Sequence, residues 1–307
     1  MKPEYSPEMS PEKPPEKPQN GQQESRSEEW ASVELAAVVT GEVIRYRFND
    51  ASRTAPENDQ LAAEVPVALV YNGLSHAVMM ATPADLEDFA LGFSLSERIV
   101  QEARQIYGID IIHHTCEEGI ELQIDVASEC FAQLRHQRRT LTGRTGCGLC
   151  GKDSLQALDL HLPLPVAAEF LQVSPKALQK GQSQLAKHQH LNAITGALHA
   201  AAWVSPDGDM LHVREDVGRH NALDKLLGCL AALPASQCSQ GWLLMSSRTS
   251  YELVLKAARA GIVVMASVSA PTALAVKLAK QAGITLAGFL REGGCVVYTA
   301  PQRISSE

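Results

Sequence analysis

Residues 241–291 read GWLLMSSRTSYELVLKAARAGIVVMASVSAPTALAVKLAKQAGITLAGFLR, and this stretch decides the fold. Three apolar runs, Trp242 to Met245, Ile262 to Val268 and Thr285 to Leu290, are too short for helices. They alternate with segments of helical spacing, Tyr251 to Ala260 and Thr272 to Ala282. Short apolar runs without polar alternation suit strands buried on both faces, and a strand-helix-strand succession joins parallel neighbours through right-handed crossovers. Immediately upstream, Leu198 to Val204 and Met210 to Arg214 predict two more strands and Gly218 to Leu230 a helix; Cys295 to Tyr298 adds a last short strand. Residues 191–307 therefore read as an α/β domain with helices on both faces of one sheet.

Working outward, residues 31–140 read as a smaller α+β portion. Gly41 to Phe48 predicts a strand. Val65 to Tyr71 and His76 to Ala81 predict a hairpin about Asn72-Gly73, a dipeptide that tolerates positive φ. A helix follows, with Thr82 as its cap, Pro83 in its first turn, and Leu86, Phe89, Ala90 and Phe93 along one face. Strands at Ile109 to His113 and Ile120 to Val126 and a helix at Ser128 to Arg139 complete this portion. Residues 141–190 hold a cysteine loop and a linking helical segment in which Ser174-Pro175 marks a helix start. Residues 1–30 are rich in Pro, Glu, Ser and Gln and have no apolar run, which predicts a disordered tail that is neither a secretory signal nor an anchor.

The 45% hydrophobic content of the 307 residues supplies a full core, and no run reaches the length needed to span a bilayer, so the sequence predicts no membrane partner. The net charge of −8 argues against a nucleic-acid partner. Arg135, Arg138, Arg139 and Arg144 form one local basic patch, read first as a solvated helix face. Seven scattered cysteines in a chain of this size fit a reducing compartment, so the sequence predicts a cytoplasmic protein.

Sulfur chemistry is signalled by Arg144-Thr145-Gly146-Cys147-Gly148-Leu149-Cys150-Gly151. Two thiols at Cys-x-x-Cys spacing in a glycine-rich loop, with a cation adjacent, lower the pKa of one sulfur from its free value of about 8.5. A persulfide, a disulfide and a metal thiolate all start from that thiolate. Zinc is disfavoured, since no second Cys-x-x-Cys exists and His199 and His220 lie far downstream; the sequence predicts no metal site. A thioredoxin-like dithiol oxidoreductase would place its motif straight after a core strand, and no strand pattern precedes Cys147.

Polar groups gather where strands end. Arg214 to Lys225 is the densest cluster, Ser246 to Glu252 opens the next helix, and Ser269-Ala270-Pro271-Thr272 follows the strand after that. Each alone passes as helix capping; three successive strand ends read as one pocket for a nucleotide-like ligand. Arg219, His220 and Arg248 are its candidate side chains. Phe289-Leu290-Arg291-Glu292-Gly293-Gly294 offers an arginine and a close backbone approach, although a hairpin turn needs the same glycines.

Taken together these residues resemble the FdhD family of sulfur carriers for formate dehydrogenase. The resemblance runs from about Glu64 to Tyr298, through Glu64-Val65-Pro66, Asn72-Gly73, Met80-Ala81-Thr82-Pro83, Leu91-Gly92-Phe93, the Arg144 to Gly151 segment, Thr195 to Ala201, Arg214 to Lys225, Ser246 to Glu252 and Ser269 to Thr272. It implies a cytidine-deaminase-like fold without deaminase chemistry, and the His-x-Glu and Pro-Cys-x-x-Cys patterns of zinc deaminases are indeed missing from the chain. It also implies a sulfurtransferase in which a cysteine desulfurase loads Cys147 as a persulfide, Cys150 assists, and sulfur passes to bis-molybdopterin guanine dinucleotide before that cofactor enters formate dehydrogenase. Phe289 to Gly294 match the family's cofactor segment. Arg291 is kept, while Gly294 and Val296 replace a basic residue and an asparagine. The family further implies a homodimer. Two rival readings are a cofactor-binding chaperone that moves no sulfur and a dithiol oxidoreductase.

Overall fold

A computed structural model describes residues 36–49, 51–114, 119–142, 171–234 and 240–305. The predicted N-terminal tail and the cysteine loop with Cys147 and Cys150 lie outside the described residues.

A two-stranded ribbon pairs β1 (Val38–Val43) with β4 (Glu57–Ala62), and a small one pairs β2 (Tyr46–Arg47) with β3 (Ser52–Arg53). The strand predicted at Gly41 to Phe48 is thus split between β1 and β2. The predicted hairpin is present as β5 (Val65–Tyr71) and β6 (Leu74–Ala81), with Asn72 at φ 45 and Gly73 at φ 79 making the turn. With β7 (Ile106–His113) and β8 (Ile120–Val126) they form a four-stranded sheet in the order β6-β5-β8-β7. Helices α1 (Leu86–Ser96) and α2 (Ser128–Thr142) follow β6 and β8. Phe89, Ala90 and Phe93 of α1 are buried together with Val67, Leu69, Leu122 and Ile124 of the sheet, as the 3.6-residue spacing predicts.

The start of α1 differs from expectation. Asp85, in the left-handed conformation, precedes the helix, and Thr82 does not cap it. Thr82 is fully buried instead: its N–H donates to Asp216 Oδ2 at 3.0 Å, and its hydroxyl accepts from the Val217 N–H at 3.2 Å. A partner more than a hundred residues away outcompetes the local cap.

After α3 (Pro175–His188), capped by the Ser174 hydroxyl, and α4 (His190–Thr195), the chain enters a six-stranded mixed sheet in the order β10-β9-β11-β12-β13-β14. Its strands are β9 (His199–Val204), β10 (Met210–Asp216), β11 (Trp242–Met245), β12 (Val264–Ser267), β13 (Thr285–Arg291) and β14 (Gly294–Thr299). The pairs β11-β12 and β12-β13 are parallel, as the strand-helix alternation predicts; β9 runs antiparallel to both neighbours and β14 is an antiparallel edge. Helices α5 (Arg219–Ala232), α6 (Tyr251–Arg259) and α7 (Ala273–Gln281) follow β10, β11 and β12. Their apolar residues, Leu223, Leu253 and Leu278 among them, pack on one face of the sheet, and Leu178 and Leu185 of α3 belong to the core on the other. The mixed α/β architecture read from the sequence is present. Among the described residues no helix is long and apolar enough to cross a membrane.

The two layers meet at α1 and α5, whose backbones approach so closely that a Cβ on Gly92 would lie 1.7 Å from Asp224 O, and one on Gly228 1.9 Å from Asp88 O. A buried ionic cluster locks the crossing. Asp224, fully buried, accepts from Ser96 Oγ at 2.7 Å and from Lys256 Nζ at 2.9 Å, and Lys256 also reaches Glu97 at 2.7 Å. Burial disfavours the Lys256 ammonium, but Asp224 and Glu97 outweigh it and raise its pKa, so the lysine is charged. Nearby, burial pushes the Tyr71 phenol well above its ordinary range, and its hydroxyl pairs with Ser94 at 2.8 Å.

Candidate functional site

The parallel strands β11, β12 and β13 end on one edge of the sheet, and antiparallel pairing brings the start of β9 and the end of β10 to the same edge. His199 pairs with Asp216 across β9 and β10, and Met245 at the end of β11 pairs with Ala201. The strand ends that sequence reasoning grouped are therefore neighbours. Ser246 exchanges hydrogen bonds with Ala200, its hydroxyl accepting at 2.8 Å and its N–H donating at 3.0 Å. Thr249 bridges to Pro271, and its carbonyl accepts from Thr272 N–H at 2.9 Å. Phe289 N–H donates to Ser269 O at 3.2 Å, closing the row of strand ends.

Much of the Arg214 to Lys225 cluster is scaffold. Asp216 and Lys225, both without exposed side-chain surface, form an ion pair at 2.7 Å. Asp216 also accepts from Gly218 N–H at 2.8 Å and Asn221 Nδ2 at 3.0 Å, while Lys225 donates to Thr82 O at 2.9 Å. The Glu215 carboxylate accepts from the Leu191 and Asn192 N–H groups at the start of α4, at 2.9 and 2.8 Å, and Arg214 pairs with Asp88 at 2.7 Å. These bonds anchor the β10–α5 turn to the loop after β6. The turn leads straight into Arg219 and His220, the first two residues of α5.

His220 lies between the first turns of two helices. Its Nε2 is 2.7 Å from Glu252 Oε2 and 3.3 Å from Ser250 Oγ at the start of α6. Burial lowers the His220 pKa, opposed by Glu252 and reinforced by Arg219, so the ring is neutral at pH 7. His199 is also held low, by burial and then by the charge of Arg219. Arg219 thus belongs to the same rim as both histidines.

Two details of this rim suit a polar ligand. Neither α5 nor α6 has a side-chain cap: Gly218 precedes one, and the Ser250 hydroxyl, occupied with His220, makes no capping bond in the other. Uncapped N–H groups at helix starts attract anions. In addition, among the described residues Arg219 Nε and Thr249 Oγ1 are buried without a hydrogen-bond partner, a costly condition that a bound oxygen-rich group relieves. Arg248, predicted for the pocket, is exposed on the β11–α6 loop.

The Phe289 to Gly294 segment closes the row. A β-bulge between Gly288 and Arg291 accompanies Phe289 at φ 52, and the residue is 42% exposed. Gly288 is required there, since a Cβ would meet Pro271 Cδ at 2.7 Å. The Leu290 side chain points into the core, leaving only its backbone for a ligand; Arg291, Glu292, Gly293 and Gly294 are exposed. Of the basic patch, Arg135 stacks over Phe131 at 5.8 Å on α2. Sequence reasoning did not find the His220–Glu252 pair or the roles of Thr82, Glu97 and Lys256, since each depends on a partner that only the fold supplies.

Comparison with known proteins is consistent over nearly the whole described chain. Residues 62–305 match the model of the FdhD/NarQ family. A sulfur carrier protein FdhD of Cupriavidus necator is 57% identical over 81% of this chain and 85% of its own. One of Xanthomonas euvesicatoria is 50% identical over 87% of this chain and 94% of its own. Among solved structures, a protein of Desulfotalea psychrophila assigned as a formate dehydrogenase accessory protein superposes with a TM-score of 0.64 at 25% identity, over 88% of this chain and 100% of its own.

Proposed function

Because the chain belongs to the FdhD/NarQ family, we propose that it is a sulfurtransferase serving formate dehydrogenase, in which Cys147 carries sulfur as a persulfide and the strand-end rim holds the guanine-nucleotide part of the acceptor. The observation that carries this reading is the span of the family match, 62–305, which encloses Cys147, Cys150 and every residue of the rim. The sheet agrees with it. The order β10-β9-β11-β12-β13, with β9 antiparallel to its neighbours and β11 to β13 parallel, supports a cytidine-deaminase-like core.

In the proposed sequence a cysteine desulfurase donates a sulfane sulfur to the Cys147 thiolate, giving Cys147–S–SH. The Cys150 thiolate then attacks the Cys147 sulfur, forming a disulfide and releasing HS⁻ to the acceptor; a cellular thiol reductant returns the pair to dithiol. The acceptor, bis-molybdopterin guanine dinucleotide, is substrate rather than resident cofactor. Its nucleotide is oriented by Arg219, Arg248 and the uncapped starts of α5 and α6, with the Phe289 to Gly294 backbone and the Arg291 guanidinium alongside. His220, kept neutral and fixed by Glu252, presents a hydrogen bond rather than a second charge. The protein acts as a homodimer in the cytoplasm, where thiols stay reduced.

Guanosine diphosphate tests the rim. Titration calorimetry is expected to show binding to the wild type that weakens about tenfold to a hundredfold in Arg219→Ala, the loss of one charge-assisted contact of roughly 1.5–3 kcal/mol. Undiminished affinity in Arg219→Ala and Arg248→Ala together would overturn the placement of the nucleotide.

A further inference from the structure

The strand-end rim changes character along its length. Arg219 and the starts of α5 and α6 make one end of it charged and polar, while the last two strands carry apolar side chains in the open. On β14, Cys295 and Val297 pack on the core that includes α3, so the alternation of the strand turns Val296 and Tyr298 to the opposite face, where they are 48% and 37% exposed. Gly288, paired with Val296 across β13 and β14, shares that face. A Cβ at Gly288 would stand 2.7 Å from Pro271 Cδ and 3.1 Å from Tyr298 Cε2. The two rings therefore converge over a backbone position that has no side chain of its own, and together they form an apolar shelf. Phe289, held at φ 52, follows directly.

Pro271 ties this shelf to the polar end. It bridges to Thr249, a residue with no exposed surface whose Oγ1 lacks a hydrogen-bond partner among the described residues and which precedes Ser250 at the α6 start. From Arg219 through Thr249 and Pro271 to Tyr298 the rim thus passes from cation to hydroxyl to apolar ring. The shelf on β13 and the α6 start after β11 are two strand spacings apart, about 10 Å, a length that an extended nucleoside diphosphate covers.

Given the nucleotide proposed for the rim, on which this inference rests, we infer that Tyr298 is the residue on which the base stacks, so that the ligand lies with its phosphates at Arg219 and the helix starts and its base over Tyr298 and Pro271. Aromatic faces stack any nucleobase, and a base carries its own apolar face to the shelf. The reverse orientation would strip water from phosphate oxygens against Val296 and Tyr298 and leave Arg219 Nε and Thr249 Oγ1 unmet. Arg291 does not favour that reversal, since it is exposed and is followed by Glu292, whereas Arg219 has a buried Nε to satisfy.

Titration calorimetry of the full chain with guanosine diphosphate and with pyrophosphate, which carries the phosphates and no base, tests this. The wild type is expected to bind the nucleotide about tenfold more tightly than pyrophosphate, the worth of one stacked base. Tyr298→Leu, which keeps apolar bulk and removes the π face, should lose about that factor for the nucleotide and none for pyrophosphate, while Tyr298→Phe keeps both affinities. Arg219→Ala should weaken both ligands. Undiminished nucleotide affinity in Tyr298→Leu, an equal loss for both ligands, or a Tyr298→Phe protein as weak as Tyr298→Leu would each overturn the base seat and leave the nucleotide reading standing. A wild type that binds no guanosine diphosphate would overturn both. Should pyrophosphate bind too weakly to measure, the contrast between Phe and Leu at position 298 decides, and Tyr298→Thr, which also suits a strand, replaces Tyr298→Leu should that variant fail to fold.

Discussion

Gly92→Ala separates local propensity from packing, because the two predict opposite signs. In an exposed helix interior, alanine in place of glycine stabilises by about 1 kcal/mol. Here the added Cβ would stand 1.7 Å from Asp224 O, 2.6 Å from Asp224 C and 2.7 Å from Gly228 N, all backbone atoms of α5 that no rotamer change can move. Reaching an ordinary contact requires α1 and α5 to separate by roughly 1.5 Å, and overpacking of this kind costs about 1–3 kcal/mol by itself. Separation also stretches the 2.7 Å bond from Ser96 to Asp224, which spans the same crossing. A weakened hydrogen bond to a buried charge adds about 1.5–3 kcal/mol. Against the propensity gain, the net loss is about 3 kcal/mol, or a fall of about 1 M in the urea midpoint for a chain of this size. Equilibrium urea unfolding followed by far-ultraviolet circular dichroism reads it. A midpoint equal to or above that of the wild type would refute the packing argument.

Lys225→Met leaves the Asp216 carboxylate buried beside Thr82, Gly218 and Asn221 without its cation, and should cost about 3–5 kcal/mol in the same assay; a loss under about 1 kcal/mol would show that the pair is not a structural anchor. The histidines set a pH dependence. His199, His212 and His220 all have folded-state pKa values lowered by burial, so the unfolded chain binds more protons between the folded and ordinary values. Their contribution is complete above about pH 6.5 and is lost as pH falls through the lowered values. The urea midpoint is therefore expected to drop on acidification from pH 7 toward pH 5, with a shallower drop in His199→Gln; a midpoint that rises over that interval would contradict the assignment. Glu252→Gln removes the anion that favours protonated His220, and nuclear magnetic resonance titration should find the ring titrating lower still; an upward shift would count against the 2.7 Å contact.

What the sequence made legible follows from which interactions are local. The strands β5 and β11 begin and end where their apolar runs do, because a strand buried on both faces is apolar along its length, and β8 spans its alternation of Ile, Leu and Val with Glu, Gln and Asp, because only one of its faces is fully buried. Ser174 caps the helix whose start Ser174-Pro175 marked, and Thr272, read from the sequence with the strand-end pocket, also caps its helix, since a hydroxyl three residues before an N–H has a partner at hand. Thr82 fails the same rule because the buried Asp216 carboxylate competes for its backbone. The Arg214 to Lys225 cluster was legible as a place but not as a division of labour. Nothing in its spacing tells that Asp216, Asp224 and Lys225 face inward to neutralise one another or a distant Lys256, while Arg219 and His220 face the rim. Gly92 illustrates the remaining gap: a glycine inside a helical run marks a close approach, and only the fold shows that the approaching group is the backbone of α5.

In the proposed function sulfur travels on Cys147. Intact-mass spectrometry of the purified protein after incubation with a cysteine desulfurase and cysteine tests it most directly. The wild type and Cys150→Ala are expected to gain one sulfur atom, reversed by a thiol reductant, and Cys147→Ala none. A Cys147→Ala protein that acquires the sulfur as readily as the wild type would contradict it.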